Sequence, residues 1–411
     1  MEHRRSYIKN GLWLYFLQFF NVITPFLLVP YVVRTIGAHQ YGIFSFALNI
    51  IGYFQVFVEY GFNLSGAHQV SIAASNNEIN GLYSRIVSSK FFLLITSIIL
   101  YIVTVFFTHK TGASRTVAII MFLVVAGAAF QQTWLFQGLQ RMNVISVIGI
   151  ATRLATLLGV LLMVKDPDDL VLYSLLYAIP FFSGGIASTI MASRILGIKY
   201  TCAKFNDIKG ELKSGWHLFT TAAMTKLFTG IGLTVLALLN TPENVGIYAG
   251  IQKLPLLLSS AFLPVSQVLF PYMSKSFYKD SVRALRMLWK IALVVLGILS
   301  IVALVLILFS KEITHIVLGA EYSPYHTLLL PLSIWLLVSV VNNFLGIQIL
   351  VASGRAKEYS HAFNLGVIAI VLLTLIFGYF GGLNGVASAT AAGEGVLTLL
   401  LVIKIWQIYR K

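Results

Sequence analysis

The chain has 411 residues, of which 58% are apolar and only 10% are Asp, Glu, Lys or Arg, which excludes an ordinary soluble domain because too few charges exist to cover one. A formal net charge of +15 could suit a nucleic-acid partner, but no basic soluble segment is present to carry a phosphate footprint. The lone cysteine, Cys202, excludes a disulfide within the chain and a thiolate metal site.

A helix crosses a hydrocarbon core of about 30 Å in about 20 residues, and twelve apolar runs of about that length follow one another along the chain. Six lie at roughly 11–33, 41–64, 87–108, 116–138, 144–164 and 170–192, and six at roughly 215–239, 246–271, 289–310, 327–350, 363–380 and 385–405. The basic start, Met1 to Asn10, has no small-residue cleavage site, so the first run is expected to be a mature helix and not a removed signal. The runs are too long for barrel strands and lack their alternation, which predicts an all-α polytopic bundle.

With the N-terminus inside, 21 of the 29 Lys and Arg fall in inner segments, five in outer loops (Arg34 and Lys110 among them) and three inside spans. This bias places both termini in the cytoplasm. The basic stretch 193–214 then acts as a cytoplasmic linker between an N-terminal lobe, 1–192, and a C-terminal lobe, 215–411. Tyr41-Gly42-Ile43-Phe44 opens the second span and Val245-Gly246-Ile247-Tyr248 the eighth. The echo predicts a parallel repeat of six helices, related by a pseudo-two-fold along the membrane normal, around a central cavity.

No G-x-x-x-x-G-K-S/T, G-x-G-x-x-G, H-E-x-x-H or G-x-S-x-G occurs, and the histidines are scattered, with His39, His109, His315 and His326 in outer loops. No enzyme site, metal or cofactor is expected.

An ionisable group at mid-bilayer costs several kcal/mol, so each should meet a cavity or a partner. Lys226 lies too deep in the seventh span for comfortable snorkelling, and Lys253 lies on the eighth in line with Ser260 and Gln267 at i+7 and i+14. Arg153 sits mid-span in the fifth beside Thr152 and Thr156, and Arg34 ends the first span after Pro25 and Pro30. Glu59 and Glu394 are the intramembrane acids, suited either to ion coupling or to structural pairing with a buried base. Gln18, Asn21, Asn49, Tyr53 and Gln137 add polar lining, and Trp134, Tyr53 and Tyr248 offer rings on which sugars could stack. Four buried bases against two acids predict a cationic cavity, which selects an anion such as a diphosphate.

Several segments carry a family likeness. They are Lys9-Asn10-x-x-Trp13-Leu14-Tyr15, Pro30-Tyr31-x-x-Arg34-x-x-Gly37-x-x-x-Tyr41-Gly42, Glu59-Tyr60-Gly61-Phe62, Gln137-Gly138-x-Gln140-x-Met142, Gln252-Lys253 and Gly319-x-Glu321-Tyr322. The chain resembles the polysaccharide (O-antigen) flippases of the multidrug/oligosaccharidyl-lipid/polysaccharide exporter superfamily. That resemblance implies a V-shaped bundle of two six-helix lobes in the bacterial cytoplasmic (inner) membrane. It implies alternating access that carries an undecaprenyl-diphosphate-linked oligosaccharide, an O-antigen repeat unit of lipopolysaccharide biosynthesis, from the inner to the outer leaflet. It further implies a monomer among membrane lipids, with a glycan polymerase and a chain-length regulator as partners, and it points to Arg34 and Lys253 as cavity bases. Two rivals are an ion-coupled multidrug antiporter, which would need carboxylates for cationic drugs, and a membrane glycan polymerase, which would need a large outer loop bearing catalytic Arg or His.

Overall fold

The structure, a computed structural model, describes residues 2–108 and 112–410; His109, Lys110 and Lys411, assigned above by topology, lie outside the described residues. Helices follow one another as α1 Glu2–Glu59, α2 Phe62–Ile72, α3 Asn76–Thr108, α4 Gly112–Phe130, α5 Thr133–Gly138, α6 Met142–Met163, α7 Leu170–Leu196, α8 Phe205–Leu239, α9 Pro242–Lys279, α10 Ser281–Leu308, α11 Ser310–Ile313, α12 Leu329–Asn343 and α13 Ala356–Tyr409. Among the described residues, ten helical stretches are long and apolar enough to cross a membrane, and the chain is a multi-pass helical membrane protein.

Two of these helices exceed a single crossing. At 1.5 Å per residue, the 58 residues of α1 and the 54 of α13 would each run to about 80 Å or more, against a hydrocarbon core of about 30 Å. Each is broken once, at Gly37 (φ 76°, ψ 168°) and at Gly382 (φ 52°, ψ −129°), conformations that cost a residue with a Cβ. Both glycines stand in the gaps between apolar runs that the sequence marks.

The chain packs as two compact units, one formed by Met1–Leu28 and Ile43–Leu227, the other by Val29–Gly42 and Phe228–Lys411. In the first, α4 and α7 cross at Gly127 and Gly185, where a Cβ on Gly127 would lie 2.9 Å from the Phe182 Cα. Lipid supplies no hydrophobic drive between helices, so close backbone approach over small residues is what holds such a crossing. In the second, the Val29–Gly42 segment meets the start of α9. A Cβ on Gly42 would run into the Pro242 carbonyl and stand 2.8 Å from the Gly246 nitrogen; one on Gly246 would run into the Ala38 carbonyl and stand 2.8 Å from the Gly42 nitrogen.

The segment joining α7 to α8 lies along α3 in the first unit. Backbone N–H groups of Lys199, Thr201 and Ala203 donate to Asn80 Oδ1 (3.0 Å), Ser84 Oγ (3.0 Å) and Ser88 Oγ (3.2 Å). Two residues of extended chain rise about 6.6 Å and four of a helix about 6 Å, so alternate residues of the one match successive turns of the other. Arg85 on the same helix pairs with Glu211 at 2.9 Å.

Because the atoms facing Gly42 and Gly246 are backbone, the crossing cannot yield as a side chain could. Replacing Gly246 by Val is expected to cost at least the upper end of the about 1–3 kcal/mol of ordinary overpacking. Thermal unfolding in detergent should show a fall in midpoint much larger than for Gly297→Val, at a glycine whose Cβ would meet open space.

Candidate functional site

Lys226 of α8 sits in the first unit against α1. Its Nζ donates to Asn49 Oδ1 at 3.2 Å and lies 5.3 Å from the centroid of the Tyr53 ring, within cation–π range. Asn49, Gly52 and Tyr53 share one face of α1 by i, i+3 and i+4 spacing. Gly52 leaves the space the lysine fills, since a Cβ there would lie 2.6 Å from Nζ. Three residues that the sequence assigned separately, Lys226, Asn49 and Tyr53, are thus brought together. Gly52 completes the group and carries no signal in a single sequence beyond being a glycine in a helix.

Arg153, half-buried on α6, donates to the Gly149 carbonyl at 3.2 Å and lies close enough to Tyr177 of α7 for charge and phenol to interact. The Tyr177 ring meets Phe44 edge-on at 5.3 Å, and Phe44 packs on Tyr173 at 4.3 Å, so the guanidinium borders an aromatic group of the first unit. Gln18 and Asn21 bond to each other at 3.3 Å on the first part of α1, and Gln137 is half-buried at the end of α5.

Glu59 accepts from Gln55 Nε2 (3.2 Å) and Asn63 Nδ2 (3.3 Å), and its charge interacts with that of Lys90. Lys90 corrects the topological assignment above. Counted there in an inner segment, it is only 2% exposed and sits within α3, where its Nζ donates at 2.8 Å to the carbonyl of Gln131. The interruption between α4 and α5 frees carbonyls that membrane interior cannot hydrate; Lys90 takes that of Gln131, while Thr189 takes that of Phe130 at 2.6 Å. At the polar edge of an apolar run, Lys90 looks in sequence like one more inner-face cation.

In the second unit, Arg34 is exposed, and its Nη2 donates to the carbonyls of Ile316 and of His315 (3.3 Å), at the end of the π-helical turn Thr314–Leu318. Four residues on, the N–H of Ala38, freed by the break at Gly37, donates to Glu321 Oε2 at 2.9 Å. Arg34 and Glu321 therefore form a two-point clamp between the start of this segment and the Gly319-x-Glu321 turn. Lys253 is half-buried on α9; Ser260 donates to the Leu256 carbonyl at 2.8 Å, and Gln267 is exposed. Pro255 and Pro264 lie between these three within the same continuous helix, each removing one backbone N–H donor.

Glu394 is buried on α13. Its Oε2 accepts from Asn342 Nδ2 at 2.6 Å, the same amide reaches the Glu394 carbonyl at 2.9 Å, and Thr398 donates to Asn342 Oδ1 at 2.8 Å. The Trp335 side chain also bonds to the carboxyl group. The π-helical stretch Phe344–Val351 begins two residues after Asn342. Two expected stacking faces are not available: Trp134 and Tyr248 are both fully buried, with Trp134 Nε1 donating to Gln132 and the Tyr248 hydroxyl meeting Thr390.

The dependence of Lys226 on Gly52 is testable by a double-mutant cycle. Gly52→Leu should destabilise the protein by about 1–3 kcal/mol, and much of that cost should vanish when Lys226→Ala has already emptied the space. Thermal unfolding of the four proteins measures the coupling; additive effects would separate the two residues.

Comparison with known proteins follows the same lines. The model of a family described as polysaccharide biosynthesis protein matches residues 7–277. Provisionally named O-antigen transporters of Shigella dysenteriae and of Escherichia coli strain K12 are 27% and 24% identical over 400 and 407 residues; the matches cover 96% and 98% of this chain and 99% and 97% of theirs. Among solved structures, the lipid II flippase MurJ in an inward closed conformation superposes with a TM-score of 0.78 at 15% identity, covering 97% of this chain and 87% of that one. An inward-facing multidrug transporter of the MATE family and the MOP superfamily gives 0.71 at 12% identity, covering 95% and 98%. The fold is that of the multidrug/oligosaccharidyl-lipid/polysaccharide exporters, and the chain belongs to the polysaccharide biosynthesis protein family.

Proposed function

We propose that this protein is a flippase that moves an undecaprenyl-diphosphate-linked oligosaccharide from the inner to the outer leaflet of a bacterial cytoplasmic membrane, without catalysing a chemical reaction. The observation that carries this reading is Lys226, a cation deep within a membrane-spanning helix, set on an amide oxygen and an aromatic face. A diphosphate is the part of such a substrate that resists entry into a low dielectric, and positive groups neutralise it there. Arg153 and Lys253 are proposed as the further bases and Asn49 and Tyr53 as sugar contacts, while Gln18, Asn21, Gln137, Ser260 and Gln267 are proposed lining. Arg34, bonded to backbone, is assigned to shaping the fold around Gly37. Relatives along the whole chain that bear the name of O-antigen transporters support the substrate class.

In this reading the breaks at Gly37 and Gly382 each turn one long helix into two crossings, giving twelve in two sets of six, with both termini in the cytoplasm. Alternating access supplies the cycle, and Glu394, with Asn342 upon it, is the group through which a proton would be coupled. A multidrug antiporter shares the fold, but cationic drugs call for acids where Lys226 and Arg153 stand.

Reconstituted protein should translocate a fluorescent undecaprenyl-diphosphate oligosaccharide, read as the fraction that becomes accessible to an impermeant quencher. Loss of one charge-assisted contact of about 1.5–3 kcal/mol predicts a drop of about 10-fold to 100-fold in Lys226→Ala, with partial recovery in Lys226→Arg. Wild-type rates in a Lys226→Ala, Arg153→Ala double variant would refute the assignment. Imposing a pH gradient across the same vesicles tests Glu394: Glu394→Gln should abolish any acceleration the gradient brings.

A further inference from the structure

The turn between α9 and α10 in the second unit carries a hollow that the transport reading does not use. It is a cavity of about 330 Å³ walled by Lys275, Ser276 and Lys279 from the end of α9 and by Arg283 from the first turn of α10, with Ala284 and Met287 behind. The size falls at the lower end of the about 300–1,000 Å³ of small-ligand sites. The three bases are exposed, and the ion pairs among the described residues, Arg85 with Glu211 and Arg355 with Glu358, include none of them.

Asp280 also borders the hollow. Its Oδ1 accepts the N–H groups of Val282 (2.9 Å) and Arg283 (3.0 Å), so the carboxylate is spent on capping α10. The walls remain net positive, and Arg286 and Lys290 continue the charge along α10 at i+3 and i+7 from Arg283. Two side chains with apolar surface stand in its wall, Tyr272 (57% exposed) and the half-buried Met287. An excess of inner-face cations would account for the number of bases here. It does not account for three of them converging on one concavity that an exposed tyrosine also lines.

We propose that this hollow binds the phosphate headgroup of an anionic phospholipid, with Lys275, Lys279 and Arg283 around the phosphate and the acyl chains leaving past Tyr272 and Met287. Bases at a membrane surface each add attraction for an anionic leaflet, and a guanidinium can grip two phosphate oxygens at once. Tyr272 favours the same boundary, having one apolar and one polar end. The adjacent hollow of about 590 Å³ around Ser274, Tyr278 and Arg355 is of another kind, because Arg355 already faces Glu358 at 3.9 Å. Free inorganic phosphate offers the same anion without the chains, and the apolar flank is what favours the lipid.

The test is native mass spectrometry of the full-length protein released from detergent after incubation with phosphatidylglycerol or with phosphatidylcholine. The wild type should retain phosphatidylglycerol and not phosphatidylcholine. Lys275→Gln, Lys279→Gln and Arg283→Gln together should lower retention at least about tenfold. Lys275→Arg with Lys279→Arg should keep retention, as should Lys209→Gln with Lys213→Gln, which removes two exposed bases of α8. Unchanged thermal unfolding would show that the triple variant is folded. Equal retention by the triple variant and the wild type, or release of the lipid by millimolar inorganic phosphate, would overturn the proposal.

Discussion

At Gly42 and Gly246 two helical segments cross with no side chain between them, each glycine lying against the carbonyl four residues before its counterpart. The contact is reciprocal, so the two stretches, Ala38–Gly42 and Pro242–Gly246, use the same surface of the same local structure. Position along both helices is fixed from this point. Two turns beyond Gly42 stands Asn49, and two turns beyond Gly246 stands Lys253, the same offset of seven residues in each. Lys253, in the same unit as the crossing, is thereby tied to a backbone contact, which cannot drift as side-chain contacts can.

A second constraint acts within each unit. The break at Gly37 and the interruption between α4 and α5 free backbone groups in surroundings that offer little water. Side chains meet these groups: Glu321 takes the N–H of Ala38, Lys90 the carbonyl of Gln131 and Thr189 that of Phe130, while Arg34 takes the carbonyls of His315 and Ile316 in the π-helical turn. Charges of this kind hold the fold, and their presence in a span is no sign of a ligand. Lys226 differs because what it is seen to touch are the side chains of another helix, Asn49 and Tyr53.

Sequence made the helical membrane class legible, since apolar runs of crossing length can hardly mean anything else, and it marked Gly37 and Gly382 in the gaps between runs. It also ranked Lys226 by depth alone. What it could not supply was the partner of each charge. Lys90 stands only a few residues from the polar stretch of α3, and hydropathy cannot tell a snorkelling lysine from one folded inward onto a broken helix. Trp134 and Tyr248 show the same limit: an aromatic ring beside a polar run is equally consistent with a stacking face and with core, and here both are core.

The kind of partner also bears on what a buried cation can do. A lysine locked against a carboxylate inside a membrane must leave that charge unpaired before it can serve an anionic guest, at a cost of several kcal/mol. The amide oxygen of Asn49 and the ring face of Tyr53 are neutral, so giving up these two contacts strands no opposite charge. In the proposed cycle these two contacts suit a group that is engaged and released. Arg34, whose bonds close a turn of its own unit, suits one that stays in place.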